Sequence, residues 1–117
     1  MAELFIYDKS FIFAKRIVKL YKFLKIEKKE FILSKQLLRS GTSIGANIKE
    51  ARYAQSNRDF IAKLSISLKE ANESEYWIEL LKEEYLTKEQ ANSLLNEVRE
   101  IIALLVTTIK KSKEKEE

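Results

Sequence analysis

The 117-residue sequence has no histidine, no cysteine and no proline, and only two glycines. Without imidazole or thiol it has no general base of near-neutral pKa, no thiolate nucleophile, no usual zinc ligand and no disulfide. Most enzyme mechanisms lose their tools, so neither catalysis nor a metal or cofactor site is expected. A chain so short of turn formers favours long helices, which excludes an all-β or doubly wound fold. No stretch reaches the roughly 18 uninterrupted apolar residues of a membrane span, and Met1 to Tyr7 shows no basic n-region. These absences predict no membrane partner and a cytoplasmic location.

What remains is 45% hydrophobic and 34% charged, enough for one domain over residues 1–117 with a real core. The net charge of +4 is unevenly spread. Residues 1–25 carry six basic and two acidic side chains, residues 26–58 seven and three, residues 59–86 three and seven, and residues 87–117 six of each. A basic first half followed by an acidic third quarter could attract nucleic acid or an anionic surface, or could pair basic with acidic helices inside a bundle.

Apolar periodicity places four helices at about 8–25, 28–55, 57–85 and 88–110, in an all-α, antiparallel up-down-up-down bundle. The first carries Phe13, Ile17, Leu20 and Leu24 along one side. Phe11, Ile12 and Val18 share its other side with lysines, more apolar surface than one seam uses, which points to a second contact such as another subunit. The second helix runs through Leu33, Leu37, Ile44, Ile48 and Ala51 and contains Gly41 and Gly45, each costing about 1 kcal/mol relative to alanine. Either a neighbouring backbone approaches closely there or the helix breaks, with Thr42 or Ser43 capping a new segment; one long helix, kinked or straight, is the favoured reading. Ser56 with Asp59 starts the third helix, whose core positions are Phe60, Leu64, Leu68, Ala71, Ile78 and Leu81. Thr87 with Gln90 has capping-box spacing and opens the fourth, with Ala91, Leu94, Val98, Ile101, Leu105 and Ile109 on one face. The charged, aperiodic end 111–117 is expected to fray.

Polar residues line the seam between helices two and three. Arg39, Ser43 and Asn47 form one column, and Ser67, Glu70 and Ser74 another. A turn centred near residues 56 and 57 pairs Arg39 with Glu70 or Glu73 and Ser43 with Glu70, a contact that would fix the register. Glu70, Glu73 and Glu75 could alternatively bind a metal or act as acid and base. Four-helix di-iron sites, however, need histidines that the chain lacks. Neither a phosphate-cradling glycine loop nor a nucleophile elbow is present, and Tyr76 and Trp77 are assigned to packing.

The run Gln36 to Ala51 (QLLRSGTSIGANIKEA) and the segments Asp59–Ile61 and Lys69–Trp77 (KEANESEYW) are ordered motifs, not merely a helical composition. They resemble the bacterial four-helix-bundle proteins of the 23S rRNA intervening-sequence family, over Phe11 to about Ile109. That family is similar in fold to the accessory variability determinant of diversity-generating retroelements, a basic protein that works with a reverse transcriptase and nucleic acid. The resemblance implies a homopentameric barrel of bundles, RNA or DNA binding, and a reverse transcriptase or other protein as a further partner. On it, Arg39 to Ala51 is the family signature, Glu70 and Glu73 are its acidic positions, and Lys49 stands where members often carry an acidic residue or alanine.

The expected function is that of a non-enzymatic, oligomeric nucleic-acid-binding accessory protein. Lys15, Arg16, Lys19 and Lys22 of helix one and Lys35 and Arg52 of helix two are the candidate phosphate contacts, with no aromatic-interleaved motif for reading bases. The alternative is an oligomeric protein-interaction scaffold that touches nucleic acid little or not at all.

Overall fold

The computed structural model describes residues 2–116, with side chains from Phe5 onward. These residues form four helices and no strand: α1 (Ala2–Glu27), α2 (Leu33–Ala51), α3 (Asn57–Glu84) and α4 (Lys88–Glu114). Each packs against its neighbour in sequence, and α4 closes the ring against α1, giving a rod 50 × 21 × 19 Å. The periodic positions meet along its axis. Phe13, Ile17 and Leu24, Leu37, Ile44 and Ile48, Leu64, Ala71 and Ile78, and Val98, Ile101 and Leu105 are fully or almost fully buried.

The helix limits differ from those expected, each for a local reason. Helix α1 begins before residue 8 because its core stripe extends back through the buried Ser10 and Ile6. It ends where Lys29 adopts a left-handed backbone (φ 55°) and the amides of Lys28 and Glu30 both donate to the Leu24 carbonyl. Helix α2 starts at Leu33, not 28, because the Glu30 carboxylate accepts from the amides of Ile32, Leu33 and Ser34 at 3.1, 3.0 and 2.8 Å. It stops at Ala51, not 55, because the residues that follow already serve α3. Ser56 Oγ accepts from the Asp59 amide at 3.0 Å, while Asp59 accepts from the Gln55 amide at 3.2 Å. Helix α4 opens on the expected box, with Thr87 Oγ1 accepting from the Gln90 amide and Gln90 Oε1 from the Thr87 amide.

The frayed end is corrected for residues 111–114. Ile109 and Ser112 are buried, and Asn57 Nδ2 donates to the Ser112 carbonyl at 2.8 Å, so the start of α3 holds the last turns of α4 in helical form. Glu117 lies outside the described residues.

Helix α2 is continuous through both glycines, and neither has positive φ. Close approach is the reason for them. A Cβ on Gly41 would lie 3.1 Å from both Cγ1 and Cγ2 of Ile17, and one on Gly45 would lie 2.8 Å from Ser10 Oγ. Across α2 and α3, Ser67 Oγ donates to the Ile44 carbonyl at 2.8 Å and the Ser40 and Ser74 hydroxyls share a 2.8 Å hydrogen bond. Small hydroxyl residues therefore satisfy their polar atoms while keeping that seam narrow.

Candidate nucleic-acid interface

Drawing α1 and α2 together at Gly45 leaves a groove of about 580 Å³ along their outer side. Its floor is Tyr7, Phe11, Ala14 and Val18 from α1 with Thr42, Gly45 and Ala46 from α2. Lys15, Lys19, Lys22 and Lys49 edge it, and no acidic residue lines it. Among the described residues, no ion pair engages any of these four lysines.

Aromatic and cationic side chains form one row there. The Arg52 guanidinium lies over the Tyr7 ring at 4.8 Å, Tyr7 and Phe11 are tilted neighbours at 6.1 Å, and Lys15 Nζ sits 5.5 Å from the Phe11 ring centre. In the row Arg52, Tyr7, Phe11, Lys15 two neighbouring rings stand between two cations. The row is invisible in the linear order because Arg52 is 45 positions from Tyr7 and arrives from another helix.

Of the six candidate phosphate contacts, Lys15, Lys19 and Lys22 line the groove and Arg52 stands over Tyr7. Lys35 is exposed on α2 but outside the lining. Arg16 points to the opposite flank of α1, where its Nη1 donates to Glu97 of α4 at 2.8 Å, beside a Lys9–Glu100 ion pair. It fastens the α1–α4 seam. Lys49, which stands out in the sequence by its departure from the family pattern, is a further groove lysine and comes from α2.

The polar column divides. Arg39 donates to Glu70 at 3.2 Å and also pairs with Glu73, whose Oε1 accepts from Trp77 Nε1 at 3.1 Å. Ser43 does not reach Glu70; its hydroxyl donates to the Arg39 carbonyl within α2, and Asn47 likewise donates to the Ser43 carbonyl. Glu75 faces away from Glu70 and Glu73, and receives Arg99 Nε of α4 at 2.5 Å. The three glutamates thus make three ion pairs with two arginines, Glu70 and Glu73 with Arg39 on one seam and Glu75 with Arg99 on another. Trp77 packs against the core, whereas Tyr76 is 57% exposed and meets Trp77 edge-on at 5.1 Å. Packing describes the first and not the second.

The sequence matches the family model described as 23S rRNA-intervening sequence protein over residues 2–107. The chain belongs to this family. A crystal structure of a protein of unknown function from the S23 ribosomal protein family of Bacteroides thetaiotaomicron is 61% identical and superposes with a TM-score of 0.91, covering 94% of this chain and 99% of that one. Among proteins of curated function none matches. For this member of the 23S rRNA-intervening sequence family, no described helix is long and apolar enough to cross a membrane.

Proposed function

We propose that this chain is a non-enzymatic accessory protein of the cytoplasm that assembles from several copies and binds RNA or DNA along the α1–α2 groove. The observation that carries the reading is the lining itself: four lysines and no carboxylate around one concave apolar surface. Residues 1–58 supply thirteen basic and five acidic side chains, so the groove lies in the basic half of the chain. Lysines free of partners exchange bound counterions for phosphates at no cost in broken ion pairs. The rRNA wording in the family's description agrees with that class of partner, and the Bacteroides relative is described only as a protein of unknown function from a ribosomal protein family. In a pentamer the formal +4 of one chain becomes about +20, a field that draws polyanions from a distance.

The test is binding of labelled structured RNA and duplex DNA across a salt series, with the native mass fixed by light scattering. Affinity should fall steeply with salt, and K15E with K19E should remove binding while leaving the helical content unchanged. Binding that ignores salt, or survives the charge reversals, defeats the proposal.

A second reading has its own observation. Phe5, Ile12, Phe23 and Ile26 are each exposed on α1 at helical spacing, away from the core. A protein-interaction scaffold would use that stripe for another copy, or for a reverse transcriptase or other protein, and would keep its partner under the same charge reversals.

A further inference from the structure

We infer that the groove takes a single strand, with unpaired bases placed against Phe11 and Tyr7 and their phosphates on the lysine edge. This rests on the nucleic-acid reading above and adds the form of the polynucleotide. The reason is the mismatch between edge and floor. Lys15, Lys19 and Lys22 follow one another over about 10 Å of helix axis at 1.5 Å per residue, far enough to accompany a strand past one nucleotide. Any nucleic acid, duplex or single-stranded, satisfies that edge.

The floor is different. It is apolar, and Phe11 within it is 51% exposed, its ring flanked by Tyr7 and by the movable Lys15 ammonium. A duplex keeps its bases stacked on each other and would bridge the edge, leaving the floor wet. A single strand can turn a base inward, cover the ring and bring that base beside the Lys15 and Arg52 cations. Stacking on a ring tolerates every base, so the preference is for strand form and not for sequence.

The experiment compares a labelled 20-nucleotide oligouridylate with a duplex RNA of the same length, using the full chain at fixed native mass. The single strand should bind about tenfold or more tightly at equal salt, as an aromatic stacking contribution of this size implies. F11A should lose most of that preference while keeping the salt slope. K15E with K19E should remove binding of both ligands, and Y76A, a similarly exposed ring on α3, should change nothing. Photocrosslinking of a 5-iodouridine strand should map to Phe11 or Tyr7. Equal affinity for the two forms, or an F11A variant that binds the single strand as wild type does, overturns the inference and leaves phosphate binding standing. Failure of both ligands to bind at low salt overturns the nucleic-acid reading itself. An F11A variant whose native mass drops means that a second copy covers the floor, which also overturns the inference.

Discussion

Adjacent residues on α1 have opposite jobs. Arg16 and Lys15 differ by one position, yet the 100° step of the helix sends Arg16 to Glu97 and Lys15 to the groove. Glu97 Oε1 is buried with no partner among the described residues, so removing Arg16 would strand the whole carboxylate. R16A should therefore lower stability by about 1–2 kcal/mol, whereas K19A should lower it by less than about 0.5, in paired urea titrations. Comparable losses would show that the α1–α4 seam does not depend on this pair. Glu30 offers a pH test. Burial opposes its charge, but the amides of Leu33, Ser34 and Ile32 with the Ser34 hydroxyl prevail, so its pKa is below the ordinary 4.5. A carboxyl lowered on folding contributes stability that is complete above its unfolded pKa and lost as the pH falls through the folded one. E30Q should cost about 1–2 kcal/mol at pH 7 and progressively less as the pH falls below about 4.5. A penalty that stays constant from pH 7 to pH 3 would remove the capping charge from the account.

At the scale of elements, the two glycines of α2 look alike in sequence and differ in space. Ile17 is buried and β-branched, so the two atoms that a Gly41 Cβ would press at 3.1 Å cannot turn aside. Overpacking costs about 1–3 kcal/mol, which outweighs a gain of about 1 kcal/mol in helix propensity. At Gly45 the obstacle is a hydroxyl, which can rotate at the expense of its 2.7 Å bond to the Tyr7 carbonyl. G41A should thus lower the melting temperature more than G45A; the reverse order would place the tighter helix contact elsewhere. The same contrast marks what could be read beforehand. Thr87 with Gln90 and Ser56 with Asp59 are legible because a cap is closed by residues three apart. Glu30 is not, because its carboxylate caps from ahead of the helix and lies in a charged run that resembles helix surface. The Arg39 contact with Glu70 and Glu73 follows from a register set by one short turn, while Ser43 takes its own helix's carbonyl, an acceptor always within reach of a serine. The groove needed the α1–α2 offset, which glycine positions hint at and only packing determines.

For the whole molecule, every helix meets the one before it through a short connection, and among the described helices only the α1–α4 seam joins two that are not neighbours in sequence. Contacts so local cost little loop-closure entropy, and helical bundles of this kind fold within about microseconds to milliseconds. With no proline in the sequence, no X–Pro bond can add a phase of about 10–100 s. Refolding from urea, followed by the fluorescence of the single tryptophan, Trp77, should finish in the fast range. A persistent slow phase that ignores protein concentration would contradict this. The ring of sequence neighbours therefore makes time itself diagnostic: a fast step that ignores dilution belongs to the single chain, and any step that slows on dilution would report copies finding one another.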